Sequence, residues 1–511
     1  MTIPRDLEIR LRPLLPAALH AKAWMNPARE TLSDVFSHLR TLYGILHNYM
    51  PRRLLECFPS PGEVSCQQEE GTLVFTDMVG FTSLVERCAS EGRDGTRMLL
   101  EHLNTYFSTM IEICGKSSGD LLEFTGDAIL MQFPADTSRK DTLRAVRAGL
   151  RMQRAMIDLD RLCISGSVHS LGMRVGVHEG TFFAADVGTP ARMEHILLGG
   201  SVLRAKRAET LGQAGRVNLS SEARARIGDL FRLESSTEGH ASVIDDPERD
   251  GLTEYDVSPA RHRLPKLVCL DRSTEGFIDS IEHALTLVEP LAAFLPRTVL
   301  NLVVEHAAQR TIPPQFTDAT VMLVTLIGLS DSIDSAPSQD RIDIVSRLSF
   351  LVALINAEVE ARNGMLRKVT HHLCGPDMLI VFGVPNAHAD DTVRAVEVAL
   401  RIRELVKSSN LEDPSPGGKA VSCRIGVARG LVFAAEIGAT HGRRTFNVLG
   451  DAVNTAARLM AYAADDQILM TSAARDAVSD RFQCQSLGTP VLKGKTEPVS
   501  VHALIEARRP S

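Results

Sequence analysis

Short apolar runs alternate with segments of helical periodicity along most of the chain. Residues 72–76 form an apolar run that ends at an acid, Asp77, and residues 95–115 carry apolar side chains at helical spacing. Residues 120–124 and 128–133 flank a Gly-Asp turn, which predicts a β-hairpin. Further predicted elements are a helix over 145–159, strands over 173–178 and 181–187, and a helix from about residue 201. The pattern is typical of a mixed α/β domain.

The same series of motifs occurs twice in the chain. The matched pairs are LVFTDMVGFTSL (73–84) with MLVTLIGLSDSI (322–333), RVGVHEGTFFAADVG (174–188) with RIGVARGLVFAAEIG (424–438), and LLGGSVLRAKRAE (197–209) with VLGDAVNTAARLM (448–460). Equivalent glycines and arginines lie 248 to 251 residues apart. Matches in the same order at a nearly constant offset indicate a tandem duplication, and the period is too long for a solenoid.

The duplication predicts the domain organisation. We expect a first mixed domain at 66–231 and a second at 317–508. Residues 1–65 are predicted to form a helical extension, and residues 232–316 a linker with a helical lead-in. Within the latter, residues 234–263 are polar and acidic, which favours a linker or loop.

Composition excludes several classes of protein. The 511 residues are 44% hydrophobic and 23% charged, as in ordinary globular domains, and the net charge of −7 offers no broad basic field for nucleic acid. No uninterrupted apolar run approaches the ~18 residues of a membrane span, and the N-terminus lacks the pattern of a signal peptide. The nine cysteines are scattered without a Cys-x-x-Cys pair, which argues against a disulfide framework or a zinc site. We therefore expect a cytoplasmic protein.

Two acids of the first copy are candidates for metal binding. Asp77 ends a strand and precedes a helix, and Asp127 lies in the hairpin turn. Two carboxylates brought together in this way could bind divalent ions while helix N–H groups hold phosphate. Taken singly, each acid is better explained as a cap or turn residue.

The second copy lacks these acids and carries other polar groups. Thr325 stands in the place of Asp77 and Pro376 in that of Asp127, with Asp377 one position away. The second copy instead has Asn454 and Arg458 on one helix face, where the first has Leu203 and Arg207. Complementary loss of this kind predicts one composite site at the interface of the two domains.

The motifs FTDMVGFT, FTGDAIL, RVGVHEG and VLGDAVNTAARL together resemble the class III nucleotidyl cyclase family, and the tandem arrangement is similar to that of soluble adenylyl cyclases. The resemblance covers roughly 70–230 and 317–508. It implies an α+β, ferredoxin-like cyclase fold whose two domains form a pseudo-two-fold internal heterodimer, so that a monomer can be active. The implied activity is conversion of ATP to 3′,5′-cyclic AMP and pyrophosphate, with two divalent ions (Mg²⁺, with Mn²⁺ or Ca²⁺ as alternatives).

The resemblance also assigns roles to individual residues. It implies metal ligation by Asp77, Asp127 and the Met78 carbonyl, and phosphate contacts from Gly80, Phe81, Thr82, Arg174 and Lys493. It implies that Asn454 orients the ribose, that Arg458 stabilises charge at the α-phosphate, and that Lys368 and Asn447 read the base.

The choice of base rests on Lys368 and Asn447. A lysine ammonium only donates hydrogen bonds, so it suits adenine N1 better than the N1–H and N2–H₂ groups of guanine. The Asn447 amide can accept from the adenine N6 amine, but it can also flip and donate to guanine O6. ATP is therefore the preferred substrate, with guanylyl cyclase and a nucleotide-binding pseudocyclase module as alternatives.

Pseudo-symmetry predicts a second, degenerate site. We expect it to contain Glu123 and Lys206 from the first copy and His371 from the second. In soluble adenylyl cyclases the corresponding pocket binds bicarbonate through a lysine and an arginine. Because Glu123 stands at the lysine position, we expect weak or absent bicarbonate activation.

Overall fold

The computed structural model describes the chain with short gaps. The described residues are 4–56, 58–159, 162–164, 167–169, 171–246, 250–252, 255, 266–328, 333–371, 375–409, 420–439, 442–492 and 498–508. No helix within these ranges is long and apolar enough to cross a membrane.

The chain begins with helices that pack against a later helical segment. The four N-terminal helices are α1 (Arg5–Leu11), α2 (Ala17–Met25), α3 (Arg29–Asn48) and α4 (Arg52–Glu56). Their apolar side chains share one core with two helices that precede the second domain and with the sheet of that domain. The N-terminal extension is therefore part of the packed molecule, as its apolar periodicity requires.

The first domain contains the elements that the hydrophobic pattern predicts, most of them with longer bounds, together with several that it does not predict. They are β1 (Ser65–Val79), α5 (Phe81–Ser90), α6 (Gly92–Lys116), β2 (Asp120–Thr125), β3 (Ala128–Pro134), α7 (Asp141–Leu159), β4 (Leu162–Ile164), β5 (Ser167–His169), β6 (Gly172–Thr189), β7 (Arg192–Leu198), α8 (Gly200–Leu211), β8 (Val217–Leu219), α9 (Ser221–Ile227), β9 (Arg232–Ser235) and β10 (Ala241–Ile244).

The second domain repeats this order after a helical lead-in. Its elements are α10 (Thr274–Ala292) and α11 (Arg297–Glu305) in the lead-in, then β11 (Gln315–Ile327), α12 (Ser338–Ala361), β12 (Met365–Thr370), β13 (Asp377–Phe382), α13 (Asp391–Ser408), β14 (Ser422–Gly438), β15 (Arg444–Leu449), α14 (Asp451–Tyr462), β16 (Ile468–Thr471), α15 (Ser472–Asp476), β17 (Phe482–Ser486) and β18 (Val501–Ala507).

The two sheets have equivalent topology. The first has the order β2-β3-β1-β6-β8-β10-β9 with β7 paired to β6, and the second has β12-β13-β11-β14-β16-β18-β17 with β15 paired to β14. The predicted mixed α/β fold in two copies is confirmed. Two details of the prediction are wrong: β6 is one continuous strand through Gly180, and part of the predicted linker forms β9 and β10 at the edge of the first sheet.

Each domain inserts a strand pair into the core of the other. Phe433 and Ile437 of β14 join the core of the first domain, and Phe183 and Val187 of β6 join that of the second. Buried apolar surface of this kind is the main source of stability in protein association. The reciprocal packing brings the faces of the two sheets together around a pseudo-two-fold axis.

Candidate active site

A cleft of about 830 Å³, which includes space open to solvent, lies between the two domains. This size falls within the range of small-molecule sites. Polar residues of the first domain that line it are Asp77, Thr125, Asp127 and Lys206, and those of the second are Arg367, Lys368, Thr370, Asp377, Asn447 and Asn454. The predicted composite placement of the acids and of Asn454 is thus what the structure shows.

The acidic pair is formed by a strand end and a hairpin turn of the same sheet. Asp77 lies near the end of β1, opposite Arg174 of β6 in the strand register, and Asp127 lies between β2 and β3. Burial and the neighbouring Asp77 carboxylate raise the pKa of Asp127 to about 8. A buried carboxylate beside a second carboxylate, as Asp127 is beside Asp77, forms a favourable site for a cation.

Divalent metal ions fit this pair only with help from the substrate. Across the described ranges, no three His, Cys, Asp or Glu residues cluster as a metal site. The side chain of Met78 is buried in the core, so only its backbone carbonyl is available as a ligand. Asp77 and Asp127 would therefore supply the side-chain oxygens, and phosphate oxygens would complete the hard-oxygen shell that Mg²⁺ prefers.

A tight turn connects β1 to the next helix. Gly80 has φ 88°, a left-handed conformation that favours glycine, and α5 begins at Phe81. Phe81 is buried, whereas Thr82 is half-buried and its Oγ1 accepts a hydrogen bond from Asn454 Nδ2 at 3.3 Å. The turn thus brings the predicted phosphate-binding segment into contact with the second domain.

Arg174 contacts one member of the acidic pair, Asp77. Its Nη2 donates to Asp77 Oδ2, and its Nε lies 3.0 Å from Glu209 Oε1. Glu209 is fully buried, and its other oxygen lies 2.7 Å from Lys206 Nζ. Four charged side chains of the first domain therefore form one network at the floor of the cleft.

Lys206 is not in the predicted degenerate site. Its Nζ lies 4.5 Å from the ring centroid of Phe75, and it lines the same cleft as Asp77 and Asp127. The predicted grouping of Lys206 with Glu123 and His371 is wrong because helix α8 packs on its own domain's sheet. The face that it covers is the one that carries Asp77 and Asp127. Lys206 lowers the pKa of Asp127, although burial and Asp77 outweigh it.

The base-reading candidates meet residues of the first domain. Asn447 is 2% exposed, and its Nδ2 donates to the Gly126 carbonyl at 2.9 Å. Lys368 Nζ lies 3.3 Å from Glu194 Oε2 and 3.3 Å from the His195 carbonyl oxygen. Both side chains therefore bridge the domains at the inner end of the cleft.

Six described residues that were predicted for the site do not line the cleft: Met78, Gly80, Phe81, Thr82, Arg174 and Arg458. Arg458 lies one turn beyond Asn454 on α14, is half-buried, and has no hydrogen-bond or ion-pair partner in the described part of the chain. It does not line the cleft. Lys493 lies outside the described residues.

Glu123 and His371, the other members of the predicted degenerate site, are also apart. Glu123 is 4% exposed and lines a second cavity of about 490 Å³ together with Glu194 and Lys368. Burial raises the pKa of Glu123, and Lys368 opposes that rise. His371 lines neither cavity; burial lowers its pKa to about 4, and Asp334 is the charged group that opposes this shift. The three residues predicted together thus occupy three places, because Glu123 lies on strand β2, Lys206 on helix α8, and His371 directly after strand β12.

Sequence reasoning missed Glu194 and Glu209. Glu209 follows Lys206 by three residues on one helix, a spacing that signals an ion pair. Glu194 has no such signal, because its partner Lys368 is 174 residues away in the chain.

A family model described as adenylate and guanylate cyclase catalytic domain matches residues 64–247 and again residues 314–506. Adenylate cyclase type 10 of Mus musculus is 23% identical over 422 residues, which is 79% of this chain and 24% of the relative. An adenylate cyclase of Mycobacterium tuberculosis (strain ATCC 25618 / H37Rv) is 27% identical over 205 residues, 40% of this chain and 43% of the relative.

One solved structure matches most of the chain. It is a class III adenylyl cyclase-like ATP-binding protein from Pseudomonas aeruginosa, with a TM-score of 0.53 and 14% identity over 81% of this chain and 85% of that one. This likeness concerns the fold. The chain spans about a quarter of the length of the type 10 relatives.

Proposed function

Because the chain belongs to the family of adenylate and guanylate cyclase catalytic domains, we propose that it is an adenylyl cyclase with one composite active site. The reaction joins the ribose 3′-oxygen of ATP to the α-phosphorus and breaks the bond from that phosphorus to the bridging oxygen. The products are 3′,5′-cyclic AMP and pyrophosphate, and the 3′-hydroxyl proton passes to solvent. The observation that carries the proposal is the meeting of Asp77 and Asp127 with Asn454 in one interdomain cleft.

The side chains have separate tasks in this proposal. Divalent cations, when bound, would lower the pKa of the 3′-hydroxyl and neutralise triphosphate charge. Asp77 and Asp127 would hold these cations, and the Arg174 guanidinium, which donates to Asp77 in this structure, would contact phosphate. Asn454, hydrogen-bonded to Thr82, is placed to orient the ribose.

Transition-state charge requires a further donor. Arg458 is half-buried on the same helix as Asn454 and has no partner in the described ranges, so its guanidinium is available for the α-phosphate. Lys493 is proposed to reach the triphosphate on the resemblance alone. Lys368 favours ATP over GTP, since its ammonium can donate to adenine N1.

The test is product formation by the purified chain with ATP or GTP and with Mg²⁺, Mn²⁺ or Ca²⁺. Asp77→Asn and Asn454→Ala should each lower cyclic AMP formation by at least about a hundredfold, the typical cost of removing one transition-state group. The matched control is Leu203→Ala, at the position of α8 that corresponds to Asn454, which should stay within about threefold of wild type.

Other outcomes identify the alternatives. ATP binding without product would favour a nucleotide-binding module, an outcome in line with the contact of Arg174 with the metal-binding candidate Asp77. A larger kcat/KM for GTP than for ATP would show a guanylyl cyclase.

A further inference from the structure

The base-reading lysine of the second domain is held by a carboxylate of the first. Lys368 Nζ lies 3.3 Å from Glu194 Oε2 and 3.3 Å from the carbonyl oxygen of His195, both on β7. These two contacts use two of the three N–H donors of the ammonium, so one remains for a nucleotide base. The direction of that remaining donor depends on where Glu194 holds the nitrogen.

Glu194 is itself firmly fixed. It is 4% exposed, and Arg192 Nη2 donates to its second oxygen. The same Arg192 nitrogen lies 3.4 Å from the Leu366 carbonyl oxygen, two residues before Lys368. A buried carboxylate with a cation on each oxygen is both neutralised and restricted in orientation. Arg192 and Lys368, the two cationic partners of Glu194, therefore each contact a residue of the opposite domain.

The ion pair of Lys368 with Glu194 has no counterpart at the equivalent positions of the other half. Glu194 of the first domain corresponds to Thr445 of the second. Glu194 pairs with Val187 across β7 and β6, and Thr445 pairs with Ile437 across β15 and β14. Lys368 corresponds to Glu123, and each of the two follows a β-bulge. The reversed pair of Thr445 and Glu123 can form no ion pair, so the duplicated fold does not by itself require this contact.

We infer that Glu194 is a positioning residue that directs Lys368 toward adenine and thereby sets the preference for ATP over GTP. The inference rests on the proposed function for its substrate class. With the carboxylate present, the ammonium is held in place and offers its single remaining donor to a ring acceptor. Without it, the lysine loses its fixed direction and adenine loses its distinguishing contact.

The test measures nucleotide binding without turnover. Wild type, Glu194→Gln, Lys368→Met and the double variant are titrated calorimetrically with 3′-deoxy-ATP and 3′-deoxy-GTP, which lack the attacking hydroxyl. Glu194→Gln should weaken 3′-deoxy-ATP binding about tenfold, the lower end of the value of one hydrogen bond to a charged group, and change 3′-deoxy-GTP binding less than threefold. In the Lys368→Met background the Glu194 substitution should have no further effect on this ratio, because neighbouring groups that act as a unit are not additive.

A matched control separates positioning from packing. Glu436 is a buried carboxylate between the second domain and the N-terminal helices, 3.4 Å from an Arg444 nitrogen and hydrogen-bonded to Tyr49. Glu436→Gln should lower the thermal midpoint without changing the ratio of the two affinities. Equal weakening of both analogues by Glu194→Gln, or an effect that persists in Lys368→Met, would refute the inference.

The outcomes for inference and function are distinct. If the wild type discriminates between the analogues through Glu194 but forms no cyclic AMP from ATP, the proposed activity fails and the inference stands. If the wild type binds neither analogue, both are wrong.

Discussion

Gly426 is the position where one added methyl group would test the geometry of the cleft most directly. It lies on β14 under helix α14, and a Cβ built there would meet the Ala456 carbonyl oxygen at 2.1 Å and the Met460 nitrogen at 2.5 Å. These are backbone atoms, so no side-chain rotation can relieve the contact. To reach an ordinary contact distance, the helix must move away from the strand by about 1 Å.

The shift has two consequences of different size. Overpacking of a well-packed core costs roughly 1–3 kcal/mol of the free energy of unfolding, which lowers the midpoint of a domain this size by about 3–10 °C. Helix α14 also carries Asn454, whose amide lies 3.3 Å from Thr82 across the interface. A displacement of about 1 Å in a substrate-positioning group costs on the order of a hundredfold in rate. Gly426→Ala should therefore lose far more activity than stability.

Gly430 provides a matched control on the same strand. A Cβ there would lie 3.5 Å from the Ala452 methyl carbon of the same helix, which is ordinary van der Waals contact. Gly430→Ala should keep the midpoint, or raise it slightly by reducing the freedom of the unfolded chain. The assay is cyclic AMP formation together with thermal unfolding for both variants. If Gly426→Ala matched Gly430→Ala in both measurements, the close packing of strand and helix would not position the site.

Three other perturbations follow from the charges of the interface. Lys206→Gln should tighten Mn²⁺ binding about threefold to tenfold by calorimetry, because it removes a cation beside Asp127; unchanged or weaker binding would argue against a repulsive role. Burial lowers the pKa of His371 to about 4 from 6.5, so the unfolded chain binds its proton first as the pH falls. The free energy of unfolding should therefore drop between pH 6.5 and 4, and His371→Gln should reduce that slope; an unchanged slope would contradict it. Bicarbonate should stimulate cyclic AMP formation less than twofold at constant pH, since the Glu123 and Glu194 carboxylates line the second cavity beside Arg367, Lys368 and Arg443 and compete with an anion for these cations; a several-fold stimulation would overturn this.

The local elements could be predicted from the sequence because their causes are local. The β2–β3 hairpin follows from its Gly-Asp turn, and the tandem organisation follows from the constant offset between motifs. Strands β9 and β10 could not be predicted, because Glu234 and other polar side chains are tolerated on an exposed edge of the sheet. Only the pairing of β10 with β8 makes this segment part of the domain.

The residues of the candidate site also fall into those that the sequence could predict and those that it could not. Asp77, Asp127 and Asn454 lie in short motifs, so the sequence pointed to them and to a shared cleft. Lys206 was placed wrongly, because which face of its sheet a helix covers is decided by packing rather than by the order of residues. Glu194 had no signal, since its role exists only when a strand of one domain meets a strand of the other.

The distribution of changes between the two halves argues for one active site rather than gradual decay of two. At four equivalent positions the halves differ: Asp77 faces Arg174 where Thr325 faces Arg424 in the register, and Lys368, Glu194 and Asn454 correspond to Glu123, Thr445 and Leu203. Three of the polar groups, Asp77, Lys368 and Asn454, line the same cleft, and Glu194 contacts Lys368. Two of the four come from the first half and two from the second. A symmetric homodimer could not separate these positions, because every substitution would appear at both sites. Duplication within one chain removes that constraint, so Glu194 could become the partner of Lys368 without placing a second carboxylate at the corresponding position, where Thr445 now lies. The same freedom predicts that substitutions at Thr445 and Leu203 will affect stability but not the choice of nucleotide.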